Sequence, residues 1–159
     1  MLLEEHFPET CHRDLAAAVG VDLHAQATNI ARDPGFRTMV LAAYGYRCAV
    51  CGLELRLDGL SLGLEAAHVQ WHSHGGPSTI DNGVCLCPLH HKALDLGVIG
   101  FKLNSIVVSS RACAGDSFEQ MVGRYHRQQL VVPAWAAISL GSGFVGWHTK
   151  WVFRMPARP

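Results

Sequence analysis

Charged residues are scarce in this 159-residue chain, and the two signs cancel. Asp, Glu, Lys and Arg make up 16% of the residues, with 13 basic and 13 acidic side chains and a formal net charge of zero. Hydrophobic residues make up 49%, which is enough to bury a core and too much for a disordered chain. The length is near the modal size of one globular domain, so one core is expected.

Targeting and membrane-spanning signals are also lacking. The first residues, MLLEEHFPE, carry two glutamates where a secretory signal needs basic and then apolar residues. The uncharged run over 128–148 is interrupted by Pro133, Gly141, Gly143 and Gly146, so it is too broken for a spanning helix. We therefore expect a cytoplasmic protein with no membrane partner.

The zero net charge conceals a gradient along the chain. Residues 1–35 carry six acids and two bases, whereas residues 36–159 carry seven acids and eleven bases. The basic part permits a polyanionic partner, although a solvated basic face explains the same pattern equally well.

Turn residues and apolar periodicity predict an α+β chain of short elements. Phe36, Met39, Val40 and Ala43 recur at helical spacing, and Pro88 suits the first position of a helix. The predicted elements are a helical piece around Arg13–Ala18, a helix over 34–44, a knuckle and hairpin within 46–70, a loop over 71–82, a strand over 84–86, a helix from Pro88 to Leu94 or Asp95, a hairpin over 98–110, a helix over 116–125 and a short C-terminal helix.

Cysteine and histidine spacing predicts a structural zinc site. Cys48 and Cys51 form one C-x-x-C pair, and Cys87 and His90 form a C-x-x-H pair. Each short pair lets two side chains converge on one ion, and thiolates with an imidazole suit tetrahedral zinc. Cys85 is an alternative to Cys87 as the third thiol.

Further polar residues surround this predicted zinc knuckle in a fixed order. His68 lies in EAAHVQWH, Asn82 follows the glycine-rich loop, and His91 lies in PLHHKALD. A one-metal nuclease needs one imidazole to activate water and a second to help hold a divalent ion on the phosphate. In this interpretation the asparagine fixes the loop that carries the base.

These motifs resemble the HNH endonuclease family, and within it the C-terminal HNH domain of McrA-type, modification-dependent restriction endonucleases that include enzymes for phosphorothioated DNA. The resemblance rests on RDPGFRTMVLAAYGYRCAVCG, EAAHVQWHSHGGPSTIDNG, LCPLHHKALDLGVIGF and WHTKWVFRMPARP. It implies a ββα-metal (His-Me finger) core over about 47–97, flanked by helices and an extra hairpin. It also implies an HNH domain over 29–159 and a linker-like lead-in over 1–28.

The resemblance implies a metal-dependent DNA endonuclease in which His68, Asn82 and His91 are the catalytic residues. The catalytic ion would be Mg²⁺ or Mn²⁺. Many family members carry an acid or histidine just before the general base, but here that residue is Ala67. The ion would therefore rest on His91, helped by Asp95, His72, Asn82 or His68 itself.

Partners follow from the same resemblance. DNA is the expected substrate, and His72, Arg37, Arg47 and Lys92 are candidate contacts to it. A modification-reading domain or a protein acting in trans would supply specificity, and a homodimer would supply two active sites. The alternatives are a catalytically inert zinc-bound DNA-binding module and a restriction-enzyme remnant.

Overall fold

The computed structural model describes residues 34–112 and 115–159. The expected lead-in over 1–28, including the helical piece around Arg13–Ala18, lies outside the described residues. The described part contains both short helices and short antiparallel strands, and this confirms the α+β class. The elements are α1 (Pro34–Ala43), β1 (Leu55–Leu57), β2 (Leu60–Leu62), β3 (Glu65–His68), β4 (Gly83–Leu86), α2 (Pro88–Asp95), β5 (Ile99–Lys102), β6 (Ser105–Val108), α3 (Gly115–Met121) and α4 (Ser142–Trp151).

The described strands pair as three separate antiparallel hairpins, β1–β2, β3–β4 and β5–β6. In the central hairpin, Glu65 pairs with Leu86 and His68 pairs with Gly83. Because α2 follows β4 directly, Glu65 lies at the end of β3 near this helix, and His68 lies at the opposite end. β3, β4 and α2 together form the predicted ββα unit.

Helix α1 packs against the central hairpin and covers its buried face. Phe36, Val40 and Tyr44 are all buried in the core, and the Tyr44 hydroxyl donates a hydrogen bond to the Gly83 carbonyl at 3.3 Å. A Cβ at Gly83 would overlap the Val40 side chain. Glycine is therefore required where α1 crosses β4.

Helix α4 packs near the C-terminal end of α2. His148 is buried, and its Nε2 donates to the Leu94 carbonyl at 3.0 Å. Gly97 ends the turn after α2 with a φ of +72°, and a Cβ there would collide with the Val152 backbone. The tight approach of these two helix ends explains why the chain carries glycine at this position.

The sequence misplaced two helix boundaries. The helix expected over 116–125 ends at Met121 and is followed by a separate 3₁₀ turn, Gly123–Tyr125. The short C-terminal helix was expected within 146–159, but it begins at Ser142, so it includes Gly143 as well as Gly146. Nothing lies within 4 Å of a Cβ built at either glycine, and the helix instead gains stability from the packing of its other face. No helix in the described ranges is long and apolar enough to cross a membrane.

Candidate active site and metal centre

Three cysteines and one histidine converge between the turn after α1 and the start of α2, as the spacing predicted. The ligand atoms of Cys48, Cys51, Cys87 and His90 all lie within 4.8 Å of one another. Cys48 and Cys51 belong to the turn after α1, and Cys87 and His90 come from the junction of β4 with α2. The alternative ligand Cys85 is not in this group; it is buried within β4, and burial raises its thiol pKa to about 12.

His90 is held in one orientation by contacts at both ring nitrogens. Its Nδ1 lies 3.1 Å from Cys87 Sγ and 3.6 Å from Cys48 Sγ, whereas Nε2 lies 2.9 Å from the Met121 carbonyl. Since a carbonyl only accepts, Nε2 carries the proton and Nδ1 faces the cluster. Burial lowers the pKa of His90, but the hydrogen bonds with Cys48 and Cys51 outweigh burial and raise it to about 9.

Two thiols of this group have pKa values shifted in opposite directions. Hydrogen bonds from Cys51 and Cys87 hold the pKa of Cys48 far below the ordinary range of a thiol. The same contacts raise the pKa of Cys87, since a second thiolate beside the first is unfavourable. A bound cation removes that repulsion, and three thiolates with one imidazole are a donor set that suits zinc. The cluster could therefore hold a zinc ion.

His68, the predicted general base, lies at the end of β3 and is half-buried. Its ring stacks on Phe36 of α1, with the ring centroids 4.0 Å apart and the planes 18° apart. Its Nε2 lies 3.3 Å from the Ser78 hydroxyl, and the His72 ring is 5.6 Å away. The sequence interpretation named His72 but missed Phe36 and Ser78, because nothing in the local pattern shows which residues cross the strand end.

Asn82 is completely buried and braces the loop that follows His68. Its Oδ1 accepts a hydrogen bond from the Gln70 amide at 2.8 Å. Its Nδ2 donates to the carbonyls of Gln70 at 3.1 Å and Pro77 at 2.9 Å. A Cβ at Gly76 would overlap the Gln70 carbonyl oxygen and approach Asn82 Nδ2. The glycine-rich stretch therefore lets the loop close around the Asn82 amide.

His91 lies between two carboxylates at the opposite end of β3. Its Nδ1 is 2.6 Å from Glu65 Oε2, and its Nε2 is 3.6 Å from Asp95 Oδ2. Asp95 was predicted from its i, i+4 spacing to His91, but Glu65 was missed. The sequence interpretation considered only Ala67; a period of two along β3 places Glu65 on the same strand face as Ala67, two residues nearer to α2.

The residues predicted to assist His91 in holding the catalytic ion are divided between the two ends of β3. Asp95 contacts His91, whereas His72 and Asn82 lie with His68 at the loop end. Within residues 34–112 and 115–159, the Cys₃His group is the one set of three or more potential metal ligands gathered within 4.8 Å. Glu65, His91 and Asp95 offer two carboxylates and an imidazole, which are donors suited to a hard divalent ion. Their ligand atoms do not all lie within 4.8 Å of one another.

Two of the predicted DNA contacts are already engaged within the protein. Arg37 Nη2 donates to the Leu64 carbonyl at 3.1 Å, and Arg47 Nε lies 2.7 Å from Glu54 Oε2. His72 is exposed and Lys92 is half-buried. Arg37 thus ties α1 to the start of β3, in addition to any contact with an external partner.

An aromatic cluster joins the loop after His68 to α4. The rings of Trp71 and Trp147 lie 5.6 Å apart, and the His74 ring lies 5.5 Å from each of them. Trp147 is 76 residues from Trp71 in the sequence, so no local pattern could predict the contact. The cluster fixes the position of α4 relative to the loop after His68.

Comparisons with known proteins also indicate an HNH endonuclease. Residues 48–102 match the family model described as HNH endonuclease, and the resemblance predicted from the sequence is thereby confirmed over this segment. No curated protein gives a significant match. A solved structure described as "Modification dependent TagI restriction endonuclease" is similar, with a TM-score of 0.54 and 21% identity. The match covers 88% of this chain and 44% of that one, so the chain spans less than half the length of that structure.

Proposed function

We propose that this chain is a metal-dependent HNH endonuclease that hydrolyses phosphodiester bonds in DNA. The observation that carries the proposal is the His68 site: a half-buried imidazole at a strand end, fixed by Phe36 and followed by a loop that Asn82 braces. The family match over residues 48–102 supports nuclease chemistry for the same segment.

His68 is the general base of the proposed reaction. It removes a proton from a water molecule as the water oxygen bonds to phosphorus. The bond from phosphorus to the 3′ oxygen breaks in line, and the departing 3′ oxygen takes a proton from solvent water to become a hydroxyl. The stack on Phe36 and the contact with Ser78 keep the ring in one orientation. Asn82 holds the loop after His68 in register and takes no part in proton transfer.

Glu65, His91 and Asp95 are the residues that would hold the catalytic ion. A bound Mg²⁺ or Mn²⁺ supplies positive charge that stabilises the extra negative charge at the phosphate. The Cys₃His group is proposed as a structural zinc site, since four protein ligands complete a tetrahedron.

Specificity is proposed to come from outside the residues assigned here. In the McrA-type interpretation a modification-reading domain or a protein in trans selects the DNA, and a homodimer allows double-strand cleavage. The cytoplasm is the proposed location. A comparison of modified and unmodified duplexes tests this interpretation: strong preference for one mark by this chain alone would place a reading site within it.

A plasmid-nicking assay with and without Mn²⁺ tests the nuclease proposal. His68→Ala should lower the rate by about 10²- to 10⁴-fold and keep its zinc. His126→Gln is the matched control, because His126 accepts a hydrogen bond from the Val108 amide and contacts none of the assigned groups. Equal nicking by wild type and His68→Ala would refute the proposal. DNA binding without nicking by the wild type would favour the inert binding module or the remnant.

A further inference from the structure

Most basic side chains in the described part of the chain are engaged by neighbours. Arg47 and Arg56 both pair with Glu54, and Arg158 pairs with Glu119. Others donate to a carbonyl or lie over an aromatic ring; these are Arg37 on Leu64, Arg124 over Tyr125 and Lys150 over Trp151. Such groups bind a phosphate only by giving up a contact that the protein already provides.

Arg111 and Arg154 differ from this pattern. Both are exposed, and neither guanidinium has an ion pair or a side-chain hydrogen bond with any residue in the described ranges. Both line one cleft of about 290 Å³, together with Val98, Ser109 and Ala112. Among residues 34–112 and 115–159, the lining contains these two arginines and no carboxylate, so the charge that the described residues place there is positive.

Hydrogen bonds to the backbone fix the two chain segments that carry Arg111 and Arg154 relative to each other. The Ser109 amide donates to the Val98 carbonyl at 2.9 Å, and the Arg154 amide donates to the Gly97 carbonyl at 3.0 Å. The buried Ser109 hydroxyl donates to the Arg154 carbonyl and accepts from the Arg111 amide. The segment after α4 is therefore joined to the end of β6, and the cleft is a built feature of the fold.

We propose that this cleft binds a backbone phosphate of the DNA substrate away from the bond that is cut. Guanidinium groups present several N–H donors in a planar fork that fits phosphate oxygens. Two unpaired cations facing one cleft repel each other, and an anion between them relieves the repulsion. The proposal rests on the proposed nuclease function and adds a DNA contact that it does not require.

The position of α4 makes the contact compatible with DNA at the loop after His68. Trp147 of α4 packs on Trp71, three residues after His68, and Arg154 follows the same helix. Four helical steps and three extended ones separate Trp147 from Arg154, or about 17 Å at most. This corresponds to roughly five base pairs along a duplex.

Fluorescence anisotropy with a labelled 20-base-pair duplex over a NaCl series tests the proposal in the non-cutting His68→Ala background. Arg111→Gln and Arg154→Gln should each lower the slope of log affinity against log salt by about 0.9, and the double variant by about 1.8. At 100 mM NaCl the Kd should rise about five- to tenfold per arginine. Arg154→Lys should recover part of the loss, because it keeps the charge.

Lys102→Gln is the matched control, since it removes one exposed positive charge that does not line the cleft. Thermal melting of each variant excludes unfolding as the cause of weaker binding. Equal slopes for the cleft variants and Lys102→Gln would overturn the proposal. It would also be overturned if inorganic phosphate bound in the cleft while both arginine variants kept wild-type duplex affinity. Nicking by the wild type is measured separately, so failure of the cleft contact and failure of the nuclease proposal are distinguishable.

Discussion

His90 and His91 are consecutive residues of α2, yet they belong to two different sites. His90 is 1% exposed, with one nitrogen among thiols and the other bonded to a backbone carbonyl. His91 is more accessible, and both of its ring nitrogens face carboxylates. Successive residues on a helix point about 100° apart, so one helix presents one imidazole to each site.

The difference shows how the two sites depend on the fold. The Cys₃His group is closed, because its four ligand atoms all lie within 4.8 Å of one another. The His91 group is less tightly gathered: Glu65 comes from β3 and Asp95 from α2, and they contact opposite nitrogens of the ring at 2.6 and 3.6 Å. A closed donor set suits a structural ion, and an open one suits catalysis.

Loss of the closed site should have the largest effect. Cys48→Ser and His90→Ala should each lower zinc content well below the expected one ion per chain and abolish cooperative thermal unfolding, because the ion links the turn after α1 to the start of α2. Elemental analysis and calorimetry measure both effects. Cys85→Ala is the matched control, and it should keep its zinc. Full zinc retention in Cys48→Ser would remove the assignment.

Changes at the His91 group should reduce activity and leave zinc in place. His91→Ala should abolish the response to added Mn²⁺. Glu65→Gln should reduce nicking by about 10- to 100-fold and shift the Mn²⁺ titration to higher concentration, since it weakens the contact that orients His91. Asp58→Asn, in the β1–β2 turn, is the carboxylate control. An unchanged Mn²⁺ titration in Glu65→Gln would refute the positioning role of Glu65.

Asn82→Ala should cost stability and activity together. It leaves the Gln70 amide and the carbonyls of Gln70 and Pro77 without their side-chain partner, at about 1 to 3 kcal/mol of unfolding free energy. Denaturant unfolding and the nicking rate measure the two losses. Thr79→Ala changes an exposed side chain in the same loop and serves as the control. Equal stability for the two variants would show that Asn82 does not brace the loop.

The sequence predicted those parts of the two sites that are encoded by short spacings. The C-x-x-C and C-x-x-H pairs identified the four residues of the metal group, and the i, i+4 spacing linked His91 with Asp95. Glu65 was missed because its contact depends on the pairing of β3 with β4 and on the direction of α2. Phe36 and Trp147 were missed for the same reason, since each reaches the loop end of β3 from a distant helix. The Arg111–Arg154 cleft likewise depends on the chain after α4 returning to β6.

His148 supplies a third histidine for the comparison and the smallest expected effect. Burial lowers its pKa to about 4, in spite of the hydrogen bond to Leu94, so the folded protein holds it neutral. The unfolded chain binds the proton near pH 6.5. The contribution of neutral His148 to stability is therefore complete above about pH 7 and is lost as the pH falls from 6.5 towards 4.

Between pH 7 and pH 5.5 the loss should be about 1 kcal/mol. Denaturant unfolding of wild type and His148→Gln at both pH values measures it, with a smaller pH dependence expected in the variant. An identical pH dependence in both proteins would assign the acid sensitivity to other groups.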